Sequence, residues 1–246
     1  MSRLLFAASF AAATVGAIAA FPAAADRSFH SRLVEEGKPV ASAWSDTARF
    51  DKLTATGMDD VSMTTGAGWR IRARGDARAV AQLRFLIDDG SLIVGRLSSP
   101  RERYGKTRIE VTAPSLRSVI SAGSGAVDVE RMGGERVSAT VAGSGRTTIR
   151  RIDTDRLSAT VAGSGGLALT GRSDRADVTI AGSGRLAGDA FTAGSANVTV
   201  AGSGGGRFRS PGEVRAIIAG SGTVAVSGTT ACRQTRMGSG RLVCTG

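Results

Sequence analysis

Seven serines of this chain stand between two glycines, a setting in which a hydroxyl could attack a substrate or bind phosphate. They are Ser124, Ser144, Ser164, Ser183, Ser203, Ser221 and Ser239. A serine nucleophile needs a base, but the only histidine is His30, near the N-terminus, so a Ser-His-Asp triad cannot be built. A phosphate loop continues as Gly-Lys-Ser/Thr into a helix, and no copy does so. We therefore expect no catalytic residue among these serines.

Carboxylates are the second possible source of chemistry. Asp153 and Asp155 could hold a calcium ion, but a calcium site needs more oxygen ligands than two carboxylates without neighbours supply. A single histidine cannot build a multi-histidine zinc site. We expect no metal, no cofactor and no enzymatic activity. An enzyme that acts on polysaccharides through carboxylates or arginine on one face remains the alternative.

The spacing of the serine motif predicts the fold. Ala-Gly-Ser-Gly begins at residues 122, 142, 162, 181, 201 and 219, and a degenerate copy begins at Met237. A repeat of about 20 residues is typical of a solenoid, in which each repeat is one coil. Residues two, four and six positions before the first motif glycine are apolar, as in Leu157, Ala159 and Val161, so one strand face is buried. We predict an all-β, single-stranded, right-handed parallel β-helix with coils of about 18–20 residues.

The motif itself is interpreted as the corner of each coil. A sharp bend needs residues that tolerate positive φ, and stacked corners about 4.8 Å apart leave room only for small side chains. The seven serines then form a ladder. We expect their hydroxyls to satisfy corner backbone groups and each other, which is a structural role.

The outward residues of the strands before the corner form a polar row. Thr140, Thr160, Thr179 and Thr199 lie three positions before the motif glycine, and Ser138 and Ser158 lie five positions before it. Such a flat ladder could contact a repetitive polymer, so these six residues are the candidate binding residues. Threonine is also a good exposed strand residue, so a structural interpretation stays open.

The last coil differs from the others. Its inward positions are Cys232, Gln234 and Arg236, and polar residues there suit a terminal coil that faces water. Cys232 and Cys244 are the only cysteines, and they lie on the two strands of this coil. In an exported protein we expect them to form a disulfide.

The N-terminus predicts export. Arg3 is followed by an apolar run and by an Ala-x-Ala cleavage pattern that ends at Ala25, so residues 1–25 are interpreted as a signal peptide rather than as a short membrane anchor. We expect an irregular lead-in over 26–48 and a β-helix domain over 49–246, with regular coils from 116. Residues 79–87 are interpreted as a strand or a short helix, with strand preferred. With no membrane span left after cleavage, the chain should be periplasmic or at the cell surface or extracellular.

The net charge of +11 falls to +10 without residues 1–25, because only Arg3 is lost. One interpretation is attraction to anionic envelope polymers, and the other is a solvated surface decorated with arginine. Glycans or anionic envelope polymers are therefore the expected partners, and no nucleic acid is expected. The function that follows is a non-catalytic surface-interaction module, with a purely structural envelope protein as a further alternative.

The motifs before the repeats resemble a known family. The matching segments are Phe50-x-x-Leu53 leading to Gly57, Asp60-Val61, Gly66, Asp89-Gly90-x-Leu92-Ile93 and Val111-Thr112-Ala113-Pro114-x-Leu116. They are similar to those of the "putative autotransporter adhesin, head GIN domain" family, over roughly residues 48–246. The resemblance implies a single-stranded right-handed β-helix and an adhesin-like function. It also implies that the strands from Phe50 to Ile120 continue the solenoid or cap it.

Overall fold

The structure is a computed structural model. It describes residues 31–40, 44–45 (backbone only), 49–97 and 105–246. The predicted signal peptide and His30 lie outside the described residues. The fold is an all-β solenoid of about six turns, as predicted, and the hand of its winding stays a prediction.

In the described ranges, nineteen strands form one continuous sheet system. The strands of the N-terminal part are β1 Lys38–Pro39, β2 Trp44–Ser45, β3 Lys52–Gly57, β4 Asp60–Thr65, β5 Arg70–Gly75, β6 Leu83–Asp88, β7 Ser91–Arg96 and β8 Thr107–Ala113. The strands of the repeat part are β9 Ser118–Gly123, β10 Ala126–Val129, β11 Met132–Gly143, β12 Arg146–Gly163, β13 Gly166–Gly182, β14 Arg185–Gly202, β15 Gly205–Arg209, β16 Val214–Gly220, β17 Thr223–Ser227, β18 Cys232–Met237 and β19 Arg241–Thr245.

Each repeat coil has a first side that leads to the Gly-Ser-Gly corner and a second side that follows it. The first sides are β9, the C-terminal halves of β11 to β14, β16 and β18, and they pair in parallel from coil to coil. The second sides are β10, the N-terminal parts of β12 to β14, β15, β17 and β19. A short third side, such as Met132–Gly134 paired with Ile152–Thr154, returns the chain. The predicted inward residues fill the core, and Leu157, Ala159 and Val161 are all buried.

The corners hold together through backbone contacts. Gly143 has φ +119°, and its carbonyl oxygen accepts hydrogen bonds from the N–H groups of Ser164 at 3.0 Å and Gly165 at 2.9 Å in the next coil. A Cβ at Gly163 would lie 2.5 Å from the same carbonyl oxygen. Glycine is therefore required there by both the dihedral angle and the close stacking.

The N-terminal strands both continue the solenoid and cap it. Strand β3 lies between β7 and β9, and β4 lies between β8 and β10, all in parallel. The coil made of β7 and β8 is thus outside the coil made of β3 and β4, although it comes later in the chain. Strands β5 and β6 then close the end by pairing antiparallel with β8 and β7.

Two expectations for the N-terminal part need correction. The lead-in over 26–48 is not irregular where it is described. Residues 31–36 are helical, and β1 and β2 pair antiparallel with β6 and β5, because the capping strands leave edges that need hydrogen-bond partners.

The prediction of a strand over residues 79–87 is right only for the second half of that range. A short helix at Ala77–Ala81 precedes β6, and the Asp76 carboxylate caps it by accepting from Arg78 N–H at 2.8 Å and Ala79 N–H at 3.2 Å.

The C-terminal coil is closed by the predicted disulfide between Cys232 and Cys244. The bond joins β18 to β19 across the end of the core, with a Cα–Cα distance of 6.6 Å. Gln234 bridges the same two strands. Its amide donates to the Gly240 carbonyl at 3.2 Å and accepts from Leu242 N–H at 3.1 Å. A polar inward residue therefore caps the core of the last coil.

Candidate functional site

The six predicted binding residues lie together on the outer surface of the first side. Thr140, Thr160, Thr179 and Thr199 are in register in successive coils, and Ser138 and Ser158 form the row beside them. The threonines are half-buried because they stack on one another. Their ladder ends at Ile120 on one side and Ile217 on the other, and Ile217 is 50% exposed.

Arginines border this surface. Arg136, Arg156 and Arg175 are in register, one per coil, just before the buried start of each first side. Part of this border forms a shallow concavity of about 520 Å³, which we call the face groove. The lining side chains that carry polar groups are Lys52, Arg117, Ser118, Arg136, Ser138, Arg156, Ser158 and Asp177.

Carboxylates offset much of the charge of the face groove. Arg117 pairs with Asp51 at 2.6 Å, and Arg136 lies 3.6 Å from Glu135. Asp177 lines the groove and accepts a hydrogen bond from Asn197 at 2.9 Å. Arg156 and Arg175 have no ion pair in the described part of the chain, but each directly follows an aspartate in the sequence. The face groove is therefore polar and close to charge-balanced.

A second concavity of about 350 Å³ runs over the corners, and we call it the corner groove. Its lining side chains that carry polar groups are Lys106, Ser124, Ser144, Arg146, Ser164, Ser183 and Arg185. It continues past Arg185 into a depression of about 400 Å³ that includes Ser203, Ser221 and Arg207. The lining residues come from successive coils, so the groove runs along the solenoid axis.

The ladder serines differ from the expectation in one respect. All seven are exposed, and within the described part of the chain no ladder hydroxyl has a hydrogen-bond partner. The corner backbone groups do not need them, since those N–H groups bond to carbonyl oxygens of the preceding coil. The hydroxyls are thus available to solvent or to a ligand.

The corner groove is strongly positive. No carboxylate is among its lining residues. Arg146 and Arg185 have no ion pair in the described part of the chain, and Lys106 lies 3.9 Å from Asp60. Sequence reasoning missed this groove, although one signal was present. In three of the seven coils, the residue directly after Gly-Ser-Gly is an arginine.

The described residues contain no cluster of side chains typical of a metal site. No group of three or more histidine, cysteine, aspartate or glutamate side chains in the described ranges could hold a metal ion. The Asp153 carboxylate is held by the guanidinium of Arg172 at 3.1 and 3.2 Å, and both side chains are exposed. Nearby N–H groups, first that of Ala79, lower the pKa of Asp76, but this residue caps a helix at the surface. Among the described residues, no helix is long and apolar enough to span a membrane.

The fold and its surfaces define a class: a parallel β-solenoid whose sides and corners carry polar ladders. The chain belongs to the family described as "putative auto-transporter adhesin, head GIN domain", whose model matches residues 49–230. This confirms the resemblance that the sequence motifs carry. No curated protein matches the sequence.

Solved structures share the fold. A putative adhesin from Bacteroides fragilis has a TM-score of 0.74 and 18% identity, covering 85% of this chain and 99% of that one. A structure called a putative lipid binding protein, from Parabacteroides distasonis, has a TM-score of 0.66 and 20% identity, covering 85% and 98%. A putative adhesin from Parabacteroides merdae has a TM-score of 0.58 and 18% identity, covering 85% and 97%. At these identities the similarity establishes the fold alone.

Proposed function

We propose that this chain is an exported, non-catalytic surface-interaction module that binds glycans or anionic envelope polymers. The observation that carries the proposal is the corner groove, in which unpaired arginines and free hydroxyls follow one line along the solenoid. Polymers that repeat along their length suit a protein surface that repeats along its length. The arginines attract anionic groups, and the serines can hydrogen-bond to sugar hydroxyls.

The family supports an interaction role, because its description and the relatives from Bacteroides fragilis and Parabacteroides merdae are those of adhesins. The Parabacteroides distasonis relative is described as a lipid-binding protein, so lipid phosphates belong among the anionic ligands to be tested. Export is supported by the predicted signal sequence over 1–25 and by the disulfide, which is typical of oxidising compartments. The compartment we propose is the periplasm, the cell surface or the extracellular space.

Binding of the purified protein to a panel tests this proposal. The panel contains acidic polysaccharides, neutral polysaccharides, lipopolysaccharide and anionic lipid vesicles, each at several salt concentrations. We expect retention by at least one anionic member that weakens as salt increases. Retention by no member would refute the binding function and favour a purely structural envelope protein.

The alternative of a polysaccharide-acting enzyme has its own readout. The same polysaccharides are incubated with the protein, and released oligosaccharides are measured. We expect no release. Release that disappears in Asp153→Ala or Asp155→Ala would overturn the non-catalytic proposal.

A further inference from the structure

The residue that follows each corner forms a column along the corner groove. The column runs Ala126, Arg146, Gly166, Arg185, Gly205, and each member pairs with the next in register. Arg146 and Arg185 are thus two coils apart, about 9.6 Å at the usual strand spacing. The residue between them has no side chain, so a gap separates the two guanidinium groups.

The fold does not require glycine in this gap. A Cβ at Gly166 would have its nearest neighbour 4.0 Å away, at the Arg185 carbonyl oxygen, and the backbone of Gly166 is not in the positive-φ region. Gly163 and Gly165, by contrast, would place a Cβ 2.5 and 2.6 Å from carbonyl oxygens. Glycine within a strand is less stable than alanine, because it loses more conformational freedom on folding. Gly166 therefore lowers stability without a packing reason, and it leaves an open space between two cations.

The groups around this gap match an acidic sugar chain. Arg146 and Arg185 have no ion pair in the described part of the chain, and a planar guanidinium binds a carboxylate through two parallel hydrogen bonds. The hydroxyls of Ser144, Ser164 and Ser183 lie beside the gap, one per coil, with no partner within the described residues. Those hydroxyls can donate to or accept from the ring substituents of a sugar between the two arginines.

The lining also argues against other polyanions. None of the residues of the corner groove is aromatic or a large aliphatic, whereas single-stranded nucleic acids are bound by stacking on aromatic side chains. Insertion into a lipid surface needs exposed apolar side chains beside the cations. In the described ranges the exposed large hydrophobics are Val34, Met58, Ile217, Met237 and Val243, and none lines this groove.

We propose that the corner groove binds a linear acidic polysaccharide along the solenoid axis. Carboxylates of the polysaccharide lie on Arg146 and Arg185, and a sugar ring occupies the gap over Gly166. The assignment rests on the proposed function, since it names the ligand class and the site of the same binding activity.

The test measures binding of the full chain to polygalacturonate, alginate and hyaluronate, before and after three changes. Arg146→Ala/Arg185→Ala removes the two cations of the groove. Arg156→Ala/Arg175→Ala removes two exposed, unpaired arginines that border the threonine face, of which Arg156 lines the face groove, and so makes the same change in net charge. Gly166→Thr fills the gap without a change in charge.

We expect Arg146→Ala/Arg185→Ala to weaken binding of at least one of these polysaccharides tenfold or more, and the control pair to change it less than threefold. Gly166→Thr should weaken the same binding at least fivefold while its thermal midpoint stays equal to or above that of the wild type. Losses that are equal for the two arginine pairs would mean that only net charge matters, and would overturn the assignment. Full binding by Gly166→Thr would also overturn it.

Failure of this assignment is distinguishable from failure of the proposed function. Wild-type protein that binds lipopolysaccharide or anionic vesicles but none of the three polysaccharides would overturn the acidic polysaccharide and leave the proposed function standing. Wild-type protein that binds polysaccharide through the face-groove arginines would refute the corner groove alone. Binding to no polysaccharide, lipopolysaccharide or vesicle at all would refute both the assignment and the proposed function.

Discussion

The N-terminal part of the solenoid and its repeat part solve the same stacking problem in different ways. In the repeats, each coil lies on the coil that precedes it in the chain, and the corners are joined by backbone hydrogen bonds between glycines. In the N-terminal part, the coil of β7 and β8 lies outside the earlier coil of β3 and β4. In this chain, the regular sequence repeat therefore predicts which coils stack on each other only in the part where the corner residues are uniform.

The earliest corner, Thr56-Gly57-Met58-Asp59, illustrates the difference. Gly57 has φ +91° and pairs with Gly123, so the backbone turns as it does in the repeats. Asp59 takes the place of the second motif glycine, and its carboxylate binds Arg96, with an Nε–Oδ2 distance of 2.9 Å, and the N–H of Thr107 at 2.9 Å. A buried ion pair therefore ties the outer coil to this corner. The side chains of Arg96 and Asp59 are only 10% and 1% exposed.

The largest expected effect comes from breaking this ion pair. Asp59→Ala leaves the Arg96 guanidinium buried without its carboxylate, and such losses cost about 3–5 kcal/mol. The matched control is Asp128→Ala, which removes the partner of Arg150 at an exposed site and should cost less than about 1 kcal/mol. Urea unfolding of both variants measures the difference. Equal destabilisation would show that the N-terminal corner does not depend on the buried pair.

The opposite end of the solenoid should respond to the loss of its disulfide. Cys232→Ser/Cys244→Ser opens a short loop, which corresponds to about 3 kcal/mol in the chain-entropy model. Hydrogen exchange should show the loss of protection confined to β18 and β19, because these strands form the outermost coil. Equal loss in β3 and β7, at the other end, would contradict an end-specific role.

The sequence predicted the repeat part well for a physical reason. A closely stacked corner with positive φ accepts little but glycine, and a strand with one buried face must alternate apolar and polar residues. Both patterns are visible in a single repeat, and their recurrence in successive repeats strengthens the prediction. The first corner was not recognised in the sequence because Asp59 replaces the second glycine. Its side chain holds the neighbouring coil through an ion pair and a hydrogen bond instead. The order of the N-terminal coils depends on long-range pairings such as β3 with β9, which no local pattern records.

The candidate site was predicted only in part for a similar reason. The threonine column is uniform, so its register is visible in the sequence, and the structure does place Thr140, Thr160, Thr179 and Thr199 in line. The column of the corner groove alternates between arginine and glycine from Arg146 to Gly205, so its arginine signal is interrupted and is weaker than that of a uniform column. The groove exists only once the coils are stacked and the missing side chain of Gly166 becomes a gap.

Substitutions at two glycines three residues apart test the corner geometry, and we expect changes in stability of intermediate size. Gly163→Ala forces a side chain into positive φ and against the Gly143 carbonyl oxygen, at a cost of about 1–3 kcal/mol. Gly166→Ala meets open space and should raise stability by about 0.5–1 kcal/mol. Thermal midpoints of the two variants should therefore shift in opposite directions. A shift in the same direction would refute the distinction between required and unforced glycines.

The smallest expected effect is on the threonine ladder. Thr160→Ala removes a half-buried side chain between Thr140 and Thr179, and it should lower stability by less than about 1 kcal/mol through the loss of strand propensity and cross-strand contact. The same variant should bind the anionic panel within about twofold of the wild type, because Thr160 carries no charge and because the corner groove, unlike the face groove, has no carboxylate among its lining residues. Parallel measurement with Arg146→Ala/Arg185→Ala ranks the two surfaces. If Thr160→Ala lost more binding than Arg146→Ala/Arg185→Ala, the binding site would lie on the flat face and not at the corners. The periodic threonines and the face-groove arginines would then be the residues that bind the ligand.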